Sequence, residues 1–486
     1  MQILSLITFL PLVGAIIILL IPKNREDEIR KVAAVVTFMS LVFSFLLFFS
    51  FDKSLSSMQF VEKAKWITAF NIDYFVGVDG LSMPMVLLTS LLSFLSVIAS
   101  FNIKERVKEY FFFFLVLVTG MTGVFIALDF FLFYVFWEIT LVPMYFLIGI
   151  WGGPRKEYAA IKFFMYTLFG SVIILLAILG LYFTSSPHTF NMLELAKGQS
   201  FARTFQLIIY AAMYIGFAIK VPVFPFHTWL PDAHVEAPTA VSVILAGVLL
   251  KMGTYGMLRV SYTMLPVAAI YFALPLAILG VINIVYGAFV AMAQKDLKKM
   301  IAYSSISHMG YVLLGMASLT ATGINGAVFQ MFNHGIITGS LFLLVGVIYD
   351  RAHTRDIDGF GGLGAKLPVY TGIMIVSCMA SLGLPGLAGF ISEFMCFLGA
   401  FPVFRILTII SITGVVVTAA YFLWMIQKIF LGPFNEKWSG LFDMNTRELV
   451  SIVPLTVIMI ILGIFPGIVL DTISQTVSQL VTLFKI

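Results

Sequence analysis

Six ionisable side chains fall inside otherwise apolar stretches, and their types suit the passage of protons. Glu138 lies in FLFYVFWEITLVPMYFLIGIW, Lys220 in LIIYAAMYIGFAIKVPVFPF and Lys251 in VSVILAGVLLKMGTYGML. His308 sits in IAYSSISHMGYVLLG beside Ser304, Ser305 and Ser307; His334 follows Gln330 by four residues, on one helical face; Glu393 follows GLPGLAGFIS. A charge at membrane depth costs at least about 2.5–3.5 kcal/mol on insertion scales, so such groups persist where they face a bundle interior or an aqueous path. Desolvation disfavours the charged forms of lysine and glutamate and brings each toward the range where it can exchange a proton; histidine titrates near neutrality already. Each residue taken alone has a plainer reading. A single histidine is a packing residue, Lys251 forms a structural ion pair with a carboxylate such as Glu138, and Lys162 is an interface anchor whose stem reaches the membrane surface. The set of two carboxylates, two lysines and two histidines reads as a route for protons or ions.

Other chemistries find no support. The chain holds no G-x-S-x-G, no Walker A and no G-x-G-x-x-G motif. Its two cysteines, Cys378 and Cys396, lie in apolar runs with a spacing that suits neither zinc nor an iron–sulfur cluster. The chain is therefore expected to bind no cofactor or metal itself and to take its driving force from outside.

The elements that must hold these groups are membrane helices. Of 486 residues, 60% are hydrophobic and only 11% charged, with a mean hydropathy of +1.04. Globular proteins carry about 25% charged residues, so an all-α polytopic membrane protein is expected. About fourteen runs long enough to cross the hydrocarbon recur near 2–22, 32–52, 79–101, 109–128, 130–150, 159–184, 204–226, 238–258, 265–293, 299–318, 323–348, 368–400, 404–431 and 448–470. Loops after odd-numbered spans hold 18 of the 29 lysines and arginines, the opposite loops 8, and Lys162, Lys220 and Lys251 lie within spans. The richer side is expected in the cytoplasm, with both termini outside. The first segment lacks a basic leader and reads as a retained span.

Span seven is interrupted at Lys220-Val221-Pro222-Val223-Phe224-Pro225 and span twelve at Gly383-Leu384-Pro385-Gly386. Spans 4–8 and 9–13 then form two five-helix units, each broken in its fourth helix. Five is odd, so the repeats are inverted, and discontinuous helices in inverted repeats point to a transport site at the midplane. Four regions are expected: an N-terminal three-helix segment (1–108), the first repeat (109–260), the second (261–431) and a C-terminal helix with its tail (432–486).

The run KVPVFPFHTWLPDAHVEAPT at 220–239, with ILAGVLLKMGTYG at 244–256, QKDLKKMIAYSSISHMGYVLLG at 294–315, FNHGIITGSLFLL at 332–344 and GVDGLSMP at 77–84, resembles the antiporter-like subunits of respiratory complex I. The resemblance spans nearly the whole chain. Glu393 after the span-twelve break is similar to the M or chain 4 type, where L and N types and Mrp-type antiporter subunits usually carry lysine. The resemblance implies that Glu138 and Lys220 form the charge pair of one half-channel, and that Lys251 connects the halves. His308 and His334 would lead to Glu393 as the exit group, and His227 matches a further family histidine. Val241 departs from the glycine common in the family, which bears on local helix packing.

It further implies a proton-translocating membrane-arm subunit in a bacterial plasma membrane. L-like and N-like neighbours are expected as partners, and quinone, FMN and iron–sulfur clusters are expected in other subunits. No nucleic acid is implied. A stand-alone or Mrp-type cation/proton antiporter and a scaffold with structural ion pairs are the competing readings.

Overall fold

The structure, a computed structural model, describes residues 2–198 and 201–484. Lys485, counted above on the cation-poor side, lies outside the described residues. The described residues are mostly helical. Among the described residues, eleven helical segments are long and apolar enough to cross a membrane, and two shorter apolar helices, Pro368–Ser381 and Ala388–Ala400, accompany them. The Thr239–Tyr262 and Ala321–Ala352 segments are buried along their whole apolar windows, whereas Lys156–Thr184 and Arg405–Phe430 turn much of theirs outward. The two inner helices carry Lys251 and His334, so these ionisable groups sit in the middle of the fold.

Local chemistry sets the boundaries. The near-contact of two apolar runs at Leu128-Asp129-Phe130 is resolved by Asp129, whose carboxylate accepts from the Phe131 N–H (2.9 Å) and Leu132 N–H (3.2 Å) and so starts a new helix at Phe130. Asp296 and Thr320 cap the Leu297–Ala317 and Ala321–Ala352 helices in the same way. Two features were not foreseen. Gln59–Ile67 and Ile72–Val78 pair as an antiparallel hairpin, and Gly467–Thr482 forms a final helix whose Thr476 hydroxyl accepts from the Gly80 N–H at 2.9 Å. Runs of nine and seven residues are too short to span a bilayer and read as loop.

Both expected interruptions are present. The Arg203–Lys220 helix ends at Lys220, and the chain resumes helical form only at Trp229–Glu236. In a lipid environment every freed backbone group must find a protein partner. Here Asn283 supplies two: its Nδ2 donates to the Pro222 carbonyl (3.1 Å) and its Oδ1 accepts from the Phe224 N–H (2.8 Å). The Trp229 indole N–H donates to the Ile219 carbonyl at 2.8 Å. The second interruption runs from Ser381 to Ala388 and turns on Gly383 (φ +80°) and Gly386 (φ +90°), a left-handed backbone that favours glycine.

A buried ion pair fixes a third point: Arg259 donates to Asp79, at the ends of helices far apart in sequence. Asn283→Leu is expected to leave the Phe224 N–H and Pro222 carbonyl unsatisfied, at about 1–3 kcal/mol each. The thermal midpoint of the purified, detergent-solubilised protein should fall accordingly; an unchanged midpoint would show that the break holds without Asn283.

Candidate functional site: a buried file of lysine, histidine and glutamate

Four of the residues singled out from sequence converge on the centre of the fold. Lys251 is fully buried on Leu250–Gly256, a short α-helical stretch between two π-helical ones, Leu245–Leu249 and Met257–Tyr262. Wide turns leave a carbonyl free to turn aside, and the Lys251 ammonium donates to the Ala246 carbonyl at 2.5 Å. It also contacts the His334 Nδ1 at 2.6 Å. With the ammonium donating, neutral His334 carries its proton on Nε2, which has no hydrogen-bond partner among the described residues. The His334 ring stands 5.7 Å from that of His308, centroid to centroid.

His308 closes the file. Its Nδ1 lies 3.0 Å from a Glu393 carboxylate oxygen and its Nε2 3.1 Å from the Ser381 hydroxyl. Gln330 donates to the same Glu393 oxygen at 3.3 Å, and Ser392 donates to Gln330 at 2.5 Å. His308, Gln330, His334, Ser381 and Glu393 line one small void. The i, i+4 spacing of Gln330 and His334 puts both on the face that meets the second interruption. A carboxylate facing an imidazole nitrogen can hold one proton on either partner, so this arrangement can receive a proton at one end and pass it at the other.

Glycine makes the approach possible. A Cβ on Gly383 would lie 3.2 Å from the Glu393 Oε2, whereas one on Gly386 would meet nothing within 4 Å. Gly253 likewise admits the end of the Arg203–Lys220 helix: a Cβ there would sit 2.8 Å from the Phe217 carbonyl and 3.3 Å from the Lys220 Cβ.

Glu138 and Lys220 stand beside the file without a direct bond. No ion pair within 4.0 Å joins them, although the Glu138 charge acts on Lys220. One Glu138 oxygen is buried with no hydrogen-bond partner among the described residues. The buried Lys220 ammonium lies over the rings of Trp137 (5.3 Å) and Phe163 (5.8 Å), contacts that stabilise a cation without neutralising it. Its place at the last residue of a helix adds roughly 0.3–1 kcal/mol from the helix dipole. Lys251 makes its contacts to Ala246 and His334, with no ion pair to Glu138 among the described residues.

His227 stands apart. It contacts the Tyr286 hydroxyl at 3.2 Å and stacks on Phe224, within the electrostatic reach of Lys162. Lys162 itself pairs with Asp232 at 2.7 Å, so a carboxylate of the protein holds it. Two further buried groups escaped the sequence reading. His234, the second histidine of HTWLPDAH, is fully buried and stacks on Phe342 at 4.5 Å, with no partner on either ring nitrogen among the described residues. Lys298 counted as a loop cation but is 5% exposed. Its place one residue into a capped helix, two after Asp296, was the available signal. Among the described residues, no group of three or more His, Cys, Asp or Glu is arranged to hold a metal ion.

A family model described as "NADH:quinone oxidoreductase/Mrp antiporter, TM" matches residues 127–420, and one described as "NADH-ubiquinone oxidoreductase chain 4, amino terminus" matches residues 6–127. The chain is 42% identical over 495 residues to NADH-quinone oxidoreductase subunit M of Rickettsia bellii (strain RML369-C), covering 100% of this chain and 99% of that one. It is 43% identical over 497 residues to the subunit M of Rhodobacter capsulatus, covering 99% and 96%. Among solved structures, a chain of respiratory complex I from Thermus thermophilus with bound NADH superposes with a TM-score of 0.91 at 28% identity, covering 100% of both. A chain of the Mrp complex from Dietzia sp. DQ12-45-1b shares the fold, with a TM-score of 0.89 at 20% identity over 100% of this chain and 97% of that one.

Gly383→Ala and Gly386→Ala each force a left-handed alanine, at about 1–2 kcal/mol. Both should lower the thermal midpoint similarly, but only Gly383→Ala, which crowds Glu393, is expected to impair function as well. Equal functional loss in both would show that backbone strain alone is responsible.

Proposed function

The chain belongs to the NADH:quinone oxidoreductase/Mrp antiporter transmembrane family, and on that premise we propose that it moves protons as a membrane-arm subunit of a complex I-like quinone oxidoreductase. The observation that carries this is the file Lys251–His334–His308–Glu393, in which each neighbouring pair is in contact or ring to ring. Glu138 and Lys220 form the charge pair of the first half. A change in the Glu138 charge, or in its distance, sets how firmly Lys220 holds its proton; Lys251 passes the proton to His334, and the His308–Glu393 pair releases it. His227, packed against Tyr286 beside the first interruption, positions that segment.

The architecture that serves this reading has fourteen spans. Spans 4–8 (109–260) and 9–13 (261–431) form inverted repeats, residues 1–108 supply an N-terminal three-helix segment, and 432–486 supply the last helix and tail. The eleven long apolar helices, the two interrupted pairs and the Leu297–Ala317 helix are consistent with that count. The loops richer in lysine and arginine face the cytoplasm of a bacterial inner membrane, with both termini on the outer side. L-like and N-like subunits flank the chain. Quinone, FMN and iron–sulfur clusters belong to other subunits, whose redox chemistry changes charges along the arm.

Lys220→Ala and Glu138→Ala should leave the complex assembled, as judged by co-purification of its subunits, while reducing proton pumping in reconstituted vesicles by an order of magnitude or more. Wild-type pumping by both variants would refute the assignment. Sodium-dependent proton exchange by the isolated subunit would favour an Mrp-type antiporter instead.

A further inference from the structure

Beside the file, the buried side chains of Asn333, Ser392 and Gln330 form one connected chain of hydrogen bonds. Gln330 and Asn333 lie three residues apart on the Ala321–Ala352 helix, so they share the face that meets the Ala388–Ala400 helix. Those two helices leave no space between them: a Cβ on Gly326 would sit 2.7 Å from the Cys396 nitrogen.

The chain has a direction, and a backbone group sets it. The Ala388 carbonyl can only accept, so the Asn333 atom 2.8 Å from it is the donating Nδ2. The second Nδ2 hydrogen points to the Ser392 hydroxyl oxygen at 3.1 Å. Having accepted there, Ser392 turns its own proton to the Gln330 Oε1 at 2.5 Å, nearer than the Gly389 (3.1 Å) and Ala388 (3.4 Å) carbonyls. That leaves the Gln330 Nε2 facing the Glu393 Oε1 at 3.3 Å. The Asn333 Oδ1 is buried with no partner among the described residues, so this amide serves the chain only as a donor.

At the far end, one carboxylate is held in one orientation. The Glu393 Oε1 is shared by the Gln330 Nε2 and by the His308 Nδ1 at 3.0 Å. Its Oε2 has no hydrogen bond among the described residues and faces the second interruption, 3.2 Å from where a Cβ on Gly383 would lie. An amide donor aimed at this position suits a carboxylate and would oppose an ammonium. Without it, the contact to His308 alone would hold a long, rotatable side chain.

We propose that Gln330 is a positioning residue for Glu393, pinning Oε1 against the His308 imidazole and leaving Oε2 turned to the second interruption, while Asn333, acting through Ser392, keeps the donor end of the Gln330 amide on the carboxylate. The oxygen that faces the imidazole is thereby kept distinct from the oxygen that faces the break. This rests on the relay reading above and adds a requirement to it: the last pair of the file needs a neutral clamp to hold its distance.

The test uses the assembled complex in vesicles and reads membrane-potential formation in light and in heavy water. Gln330→Met keeps the length of the side chain and removes its polar ends. It is expected to assemble and to slow potential formation by about fivefold or more, as misplaced reacting groups do. Its solvent isotope effect should roughly double, because a loosely held Glu393 makes proton transfer from His308 the slow step. Ser392→Ala, which frees the Gln330 amide to flip, should move both readings the same way by a smaller factor. Wild-type rates in Gln330→Met overturn the proposal. So does a slower rate with an unchanged isotope effect, the outcome if Gln330 only packs two helices together. If Gln330→Met fails to assemble, Ser392→Ala decides by the same two readings. Glu393→Gln is measured alongside: its loss with Gln330→Met intact sinks only the clamp, whereas wild-type activity of Glu393→Gln sinks the relay itself.

Discussion

Everything in this fold answers to the cost of an unmatched charge in a low-dielectric interior. The Lys251 ammonium meets that cost with a backbone carbonyl and an imidazole nitrogen, both neutral acceptors. The contrast with Arg259 is instructive. Arginine does not deprotonate, and here it is locked directly onto Asp79, so that removing either partner strands a buried charge at roughly 3–5 kcal/mol. Both cations are buried to a similar depth. What separates a strut from a member of the proposed relay is therefore the partner: a fixed carboxylate holds a charge in place, whereas a titratable nitrogen can take its proton.

The same constraint explains why backbone chemistry matters so much at the two interruptions. A broken helix frees N–H and carbonyl groups that lipid cannot satisfy. Asn283 absorbs two of them at the first break, and this lets Lys220 end a helix with its ammonium over aromatic rings. At the second break Gly383 does two jobs, adopting the left-handed turn and leaving space for the Glu393 carboxylate. The side chains of the site are thus positioned by residues that carry no charge themselves.

Most of this site was legible in the sequence because membrane helices leave few places for a charge to hide. A lone Lys251 or Glu393 in an apolar run announces itself. The interruptions were legible for the same reason, since proline and paired glycines punctuate an otherwise unbroken pattern. The hairpin at Gln59–Val78 was not, because strands of nine and seven residues carry no span-length signal. Lys298 and His234 were missed for a subtler cause. Hydropathy places a residue along the membrane normal but says nothing about its lateral depth in the bundle. Lys298 looks like any loop cation until the Leu297–Ala317 helix is seen to hold it buried, with its ammonium on the Ala237 carbonyl. The Glu138–Lys220 pairing shows the converse: sequence placed both at depth, yet their separation beyond 4.0 Å belongs to packing alone.

That separation also gives the proposed mechanism its physical character. Two unit charges 4 Å apart interact by about 4 kcal/mol at an effective dielectric near 20, and the energy falls as they part. A pair already in contact, like Arg259 and Asp79, resists being opened. Glu138 and Lys220 are not bonded to each other, so a modest shift of either helix, or a change in charge nearby, alters their mutual attraction without first breaking a contact. The Trp137 and Phe163 rings keep the Lys220 cation tolerable when the carboxylate is remote, so neither arrangement is trapped. A looser first half beside a bonded second half is what a device needs if a charge signal is to enter at one end and a proton to leave at the other.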